Sequence, residues 1–338
     1  MAGPIRHDGG AVVRTVVLEN EHLRAVFLPD KGSDLVELFD KARGIDLAWR
    51  SPMGRRSAVP GGAPDPVAAF LDTYPGGWQE VLPNGGAPCH YRGAALSQHG
   101  EVSGVPWAYQ LVPGSACASR QECSQPEGVI FTVETARFPL RVTKTVRLRG
   151  RGLEFAEELA NLAPVEIEVM WGQHITFGEP FLAPGHRIRL PSGVTVLPHE
   201  TAIHPAGRRV LPGRGTWPAV AAFPEGTTDL SVVPERGGPS DIVYLHGASW
   251  YEITAPDGHG LRVDWDASVL PYLWLWQELG ATVDYPWWGR AYVLGLEPFS
   301  SYPTDGLAEA VRNGTALRLD PYERRTLEWS AHLLGGLS

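Results

Sequence analysis

The stretch that decides the fold runs from residue 129 to residue 174: VIFTVETAR (129–137), RVTKTVRLR (141–149), LEFAEELA (153–160) and EIEVMWGQH (166–174). Each run is rich in Val, Ile, Leu, Thr and Phe. Gly150–Gly152 and Asn161–Pro164 punctuate the row, so it reads as four strands joined by turns. Within Leu140–Leu148 the alternation places Val142 on one face with Lys144 and Val146. A charged residue in an otherwise apolar row makes the period imperfect, as expected of a sheet packed on both faces.

Working outward, the same signature recurs along the chain. Residues 12–18 and 22–28 flank a turn at Asn20-Glu21, and residues 34–39 and 45–49 flank one at 41–44. Further strands are predicted at 188–190, 229–233, 241–245, 250–254, 260–266, 270–277, 292–297, 315–319 and 324–332. Leu307–Arg312 is the best short helix candidate, and residues 51–65 read as an irregular Gly/Pro-rich loop. Many strands without βαβ alternation predict an all-β sandwich or barrel, and no linker divides the chain, so one large domain is expected.

The 338 residues carry 29 Lys+Arg against 38 Asp+Glu, a net charge of −9. An acidic surface argues against a nucleic-acid partner. No apolar run approaches the ~20 residues of a membrane span, and the first ten residues lack the apolar core of a signal peptide; a cytoplasmic protein without membrane contact is expected. Cys89, Cys117 and Cys123 fit no zinc spacing and read as reduced thiols. Nothing in the sequence marks an oligomeric state.

Four segments concentrate polar, aromatic and glycine residues: 74–86, 98–107, 171–181 and 295–303. His174 closes a predicted strand, from which it can point into a cleft and titrate near neutral pH. Glu297 follows an apolar strand, where a carboxylate is costly unless paired or working. Together they supply the ionised base and protonated acid that a proton-transfer enzyme needs. His99 sits in a polar loop. Trp78, Trp107, Trp274, Trp276, Trp287 and Trp288 form an aromatic surplus, and indoles stack on the apolar face of sugar rings. His174 and Glu179, with His99 or Glu80, leave a Zn or Mn site as an alternative. No G-x-S-x-G elbow, phosphate loop or dinucleotide fingerprint is present.

The order of these segments resembles the galactose mutarotase (aldose 1-epimerase) superfamily, in its poorly characterised branches. The resemblance rests on Asn84-Gly85-Gly86, His99-Gly100 with Trp107, Gly172-Gln173-His174 and Leu296-Glu297-Pro298. Phe138-Pro139-Leu140 and Leu319-Asp320-Pro321-Tyr322-Glu323 add to it, so that it spans nearly the whole chain. It implies a large antiparallel β-supersandwich and a cytoplasmic enzyme that interconverts sugar anomers by ring opening. By the same resemblance, Glu297 is the general base at the anomeric hydroxyl and His174 the general acid at the ring oxygen, on opposite sides of the sugar. His99 is a substrate ligand, and no redox cofactor or metal is required.

The chain departs from the family where Asn84-Gly85 replaces Asn-Arg, and where Glu101-Val102-Ser103, without an arginine, follows His99-Gly100. The second departure disfavours a phosphorylated sugar unless Arg92 substitutes. The run Phe177–Phe181 is expected to bring Glu179 near the site. The substrate-binding candidates are therefore His99, Asn84, Trp78, Glu80, Arg92, Trp107, Glu179 and Trp276, with a sugar other than plain galactose or glucose as the small-molecule partner. A non-catalytic carbohydrate-binding or regulatory module, and a metal-dependent sugar isomerase on the same scaffold, are the alternatives.

Overall fold

The computed structural model describes residues 5–6, 12–54, 65–114, 126–203 and 207–335. Most of the predicted loop at 51–65 lies outside these, as do Cys117, Cys123 and most of the first eleven residues. No helix is long and apolar enough to cross a membrane.

The first three strands of the predicted row form the centre of an eight-stranded antiparallel sheet. Pro126–Glu134, Leu140–Arg149 and Gly152–Asn161 pair in succession. Gly150, at φ +52°, supplies the left-handed residue that turns Leu140–Arg149 into Gly152–Asn161. Ala108–Pro113 extends one edge, and Arg324–Leu334, Gly260–Trp265, Trp250–Thr254 and Arg187–Arg189 extend the other. The alternation in Leu140–Arg149 turns out to be perfect: Leu140, Val142, Lys144, Val146 and Leu148 are all buried, and the residues between them are not. The expectation of a sheet packed on both faces is thus corrected. Lys144 belongs to the inward face because its ammonium meets Glu80 at 3.4 Å inside the sandwich, a partner that the local sequence does not reveal.

The larger sheet has eleven strands. Its path runs Gly215–Thr216, Thr195–Pro198, Asp241–His246, Tyr272–Glu278, Val293–Phe299, Gly172–Gly178, Trp78–Val81, Asp34–Asp40, Leu23–Leu28 and Val16–Glu19, with Ile45–Asp46 beside Asp34–Asp40. One apolar cluster fills the space between the sheets. It draws Phe131, Val142 and Val146 from the smaller sheet and Trp78, Ile175 and Leu296 from the larger. Burying side chains of this size contributes about 1.5–3 kcal/mol each.

Residues 166–174 do not form one strand. Ile167–Val169 pairs with Leu317–Leu319 in a separate two-stranded sheet, and Gly172–Gly178 enters the large sheet. The break falls at Met170-Trp171, whose amides bond to the Pro83 carbonyl and the Ser300 hydroxyl. His174 therefore lies inside a strand and not at its end. Leu307–Arg312 is the helix that its sequence predicts. The strands Ala108–Pro113 and Thr195–Pro198 and the short helix Ala68–Leu71 have no counterpart in the sequence reading.

Candidate active site

Register builds the site. Between the strands Gly172–Gly178 and Val293–Phe299, Gly172 pairs with Phe299 and Thr176 with Gly295, which sets His174 opposite Glu297. On its other side His174 pairs with Gln79. Glu297 pairs with Trp274, and Trp274 with Tyr244. One transverse row thus crosses five strands: Gln79, His174, Glu297, Trp274, Tyr244. Side chains alternate across a sheet, so this row lies on the face opposite Gln173, whose amide donates to Glu157 of the smaller sheet. The row consequently faces away from the sandwich interior.

A cavity of about 210 Å³ lies over this row. His174, Glu297, Trp274 and Trp276 form its floor. The helix Ala68–Leu71 and the residues after it contribute Phe70, Leu71 and Tyr74; Gln98 and His99 come from the polar loop, and Pro286 and Trp287 from the segment between the strands Tyr272–Glu278 and Val293–Phe299. The Tyr285 hydroxyl donates to Asp72 at 3.1 Å and ties that segment to the one carrying Phe70.

His174 Nε2 stands 3.6 Å from Glu297 Oε1. Both side chains are almost wholly buried, and among the described residues Glu297 Oε1 has no hydrogen-bond partner. Gly295 makes this arrangement possible, since a Cβ there would fall 2.2 Å from Glu297 Oε1. The His99 ring stands 5.0 Å from that of His174, centroid to centroid, and Phe70 packs on His99 at 4.5 Å. The Gly86 amide donates to His99 Nδ1 at 3.2 Å. Burial, reinforced by His174, pushes the His99 imidazole well below its ordinary range. His99 is therefore neutral at pH 7 and carries its hydrogen on Nε2. Burial also lowers His174, to about 4, and raises Glu297 well above the carboxylate range. The expected ionised carboxylate and protonated imidazole are thus replaced by two groups that burial pushes toward their neutral forms.

Of the sequence-predicted residues, the structure brings together His174, Glu297, His99 and Trp276. The others lie elsewhere. Asn84 spends its amide on the backbone, donating to Ala87 and Ser97 carbonyls and accepting from the Leu307 amide. Trp78 and Glu80 point into the sandwich: Trp78 packs on Phe177 and Trp329, while Glu80 accepts from Trp171 and Gln173. Trp107 donates to the Val102 carbonyl and stacks under Lys144. Arg92 is half-exposed, donating to the Glu166 carbonyl. Glu179 is exposed and pairs with Arg236 at 3.2 Å, which takes it out of any site with His174. Among the described residues no group of three His, Cys, Asp or Glu is placed to hold a metal ion. Sequence reasoning passed over Phe70, Tyr74, Gln98 and Ile242. Tyr74 opens the first polar segment, and that was the signal available; Phe70 and Ile242 look like ordinary core residues in sequence. Trp274 and Trp287 stood in the aromatic surplus without being singled out.

The architecture is that of the galactose mutarotase-like proteins, as the resemblance implied. A Klebsiella pneumoniae protein provisionally called an aldose 1-epimerase superposes with a TM-score of 0.72 at 16% identity, over 97% of this chain and 82% of that one. A galactose mutarotase-like protein from Lactobacillus casei gives 0.61 at 16% identity, over 94% and 99%. Galactose 1-epimerase from Lactobacillus acidophilus gives 0.59 at 13% identity, over 99% and 98%. No curated protein matches the chain in sequence. The chain belongs to the family described as Domain of unknown function (DUF4432), whose model matches residues 10–333.

Proposed function

We propose that the protein is a carbohydrate-active isomerase that interconverts the anomers of a free sugar, with His174 and Glu297 as its proton carriers. The observation that carries this reading is their 3.6 Å approach on the floor of a buried, indole-lined cavity. Mutarotation requires one proton to leave the anomeric hydroxyl and another to reach the ring oxygen. Both oxygens are bonded to one carbon and lie closer together than the two carriers do. Neighbours on adjacent strands can therefore serve both oxygens from one side, where the sequence reading had set them on opposite sides of the sugar. The ring opens to the aldehyde, the C1–C2 bond rotates, and reclosure yields the other anomer. Holding both carriers in place replaces solvent encounter, and proton transfer by a positioned side chain contributes ~10²–10⁴-fold.

The cavity wall supports a single uncharged ring. Indoles at Trp274, Trp276 and Trp287 offer flat apolar faces for C–H groups. Among the described residues no Lys or Arg lines the cavity, which agrees with the missing arginine after His99-Gly100 and disfavours sugar phosphates. The volume lies below the ~300–1,000 Å³ of drug-sized sites, as suits a monosaccharide. Magnetisation-exchange NMR on a panel of aldoses and uronates tests the proposal. Anomer exchange above the spontaneous rate is expected for at least one neutral sugar, lowered by ~10²–10⁴-fold in Glu297→Gln and His174→Gln. Saturable binding with no exchange would reassign the protein as a binding module.

A further inference from the structure

We infer that the sugar is the reducing ring of a disaccharide, and that a second cleft beside the catalytic cavity, on the same face of the large sheet, holds the next ring. The chemistry at the reducing ring rests on the function proposed above; the cleft stands on its own residues. The cavity over His174 takes one ring, and the second ring is what that one carries.

The cleft has a volume of about 590 Å³, inside the ~300–1,000 Å³ of sites that hold drug-sized ligands. Its position follows from register. Leu197 pairs with Tyr244 and Tyr244 with Trp274, which carries the row of His174 and Glu297 one strand further than the cavity floor needs. Leu197 and Tyr244 line the cleft as Glu297 and Trp274 line the cavity. Adjacent strands lie ~4.8 Å apart, so Tyr244 stands roughly 10 Å and Leu197 roughly 14 Å across the sheet from Glu297. Two linked rings cover that reach and a single ring does not. Two stretches of chain wall both spaces. His199 and Glu200 border the cleft and Ile203 the cavity, while Asp305 borders the cleft and Thr304 the cavity. Tyr244 fastens the junction: its ring packs edge-on against Trp274 at 5.5 Å, and its hydroxyl accepts from the Thr304 amide at 2.9 Å and lies 2.8 Å from His199 Nδ1.

The lining suits hydroxyl groups. His199 is almost wholly buried, and burial holds its imidazole below the ordinary range although Asp305 pulls the other way, so it is neutral at pH 7. Tyr244 takes up its Nδ1. Nε2 stands 3.8 Å from Asp305 Oδ1, too far for a direct hydrogen bond. One hydroxyl oxygen fits between the two, since a hydroxyl donates and accepts at once. Elsewhere in the cleft Arg214 and Arg312 stand among Glu200, Asp305 and Glu309, and Arg312 is already paired with Glu309. With both signs present and the carboxylates in excess, a phosphate or carboxylate ligand finds no net attraction, whereas carboxylates and guanidinium groups are ready partners for the hydroxyls of a neutral ring.

Exchange NMR and titration calorimetry test this with maltose, lactose and melibiose against glucose, xylobiose against xylose, and galactobiose against galactose. At least one disaccharide should exchange with a kcat/KM ~10-fold or more above that of its own reducing monosaccharide, and bind Glu297→Gln more tightly by a similar factor, the worth of one hydrogen bond to a charged group. Asp305→Ala removes an exposed side chain and should leave the fold intact. It should raise the disaccharide KM by ~10-fold with kcat kept, so that the ratio of disaccharide to monosaccharide kcat/KM falls. Monosaccharides preferred over every disaccharide, or an unchanged ratio in Asp305→Ala, would overturn the inference. A protein that binds a disaccharide through Asp305 but exchanges no sugar would defeat the proposed function alone. One that exchanges monosaccharides and gains nothing from a second ring would defeat the second cleft alone.

Discussion

At the residue scale the site depends on what position 295 lacks. The Glu297 carboxyl lies over the bare Cα of Gly295, two residues away on the same face, and is thereby held toward His174. Gly295 is not at positive φ, so it is there to leave room and not to make a turn. Gly295→Ala would place a methyl 2.2 Å from Oε1, and the carboxyl, at the end of a flexible side chain, would swing aside. The fold should survive, while the rate of anomer exchange should fall by about 10²-fold, the cost of misplacing a reacting group by ~1 Å. Exchange NMR beside a thermal melt separates the two effects; a variant as active as wild type would show that the carboxyl's position does not matter. The sequence shows a Gly-Leu-Glu tripeptide and an acid in an apolar run, and from these Glu297 could be selected but the role of Gly295 could not.

At the element scale the strand Gly172–Gly178 carries the load. It is buried at every position because it lies at the centre of the large sheet with the apolar core on one face and the covered cavity on the other. The alternation that marks one-sided strands is therefore absent from it, which is why the sequence reading merged it with Ile167–Val169 and put His174 at a strand end. Its two terminal glycines admit aromatic neighbours: a Cβ on Gly172 would fall 2.3 Å from the Phe299 ring and one on Gly178 2.1 Å from the Trp49 ring. Phe299 cannot yield easily, being fully buried and stacked on Trp274 at 3.8 Å. Gly172→Ala should destabilise the protein by ~1–3 kcal/mol, the usual cost of overpacking, seen as a lower urea midpoint with an unchanged slope. No shift in the midpoint would mean that the Phe299–Trp274 stack is loose.

At the scale of the whole molecule, the site leaves a mark on stability against pH. His174 is lowered in the folded state to about 4, so its contribution is full above its unfolded value of ~6.5 and is lost as pH falls toward 4. Glu297 is raised, so its contribution is full below its unfolded value of ~4.3 and is lost as pH climbs through its folded value. Between about pH 4.5 and 6.5 the lowered His174 gives stability that rises with pH, while the raised Glu297 gives stability that falls with pH, so the two slopes oppose each other. Removing one partner exposes the other. Relative to wild type, Glu297→Gln should gain ~1.4 kcal/mol per pH unit as pH rises through this window, and His174→Gln should gain a similar amount as pH falls through it. Urea unfolding at pH 4.5, 5.5 and 6.5 ( the linear extrapolation applies at each, roughly) measures both; parallel curves for the three proteins would mean that neither group is shifted.

The sequence by itself determined the strand-rich architecture, the run of turns that separates residues 126–161 into three strands, and the two residues that carry the proposed proton transfer. Those properties are local: periodicity, glycine and proline punctuation, and an acid in an apolar segment can be read within a dozen residues. Only the tertiary structure decided which candidates share a cavity. Glu80, Trp78 and Trp107 are as conspicuous in sequence as Trp276, yet they fill the sandwich: the register of Trp78–Val81 against Gly172–Gly178 turns Trp78 and Glu80 to the inner face, and Trp107 is held by the Val102 carbonyl beneath Lys144. It also decided which charges the site tolerates, since burial by segments remote in the chain lowers His99 and His174 and raises Glu297.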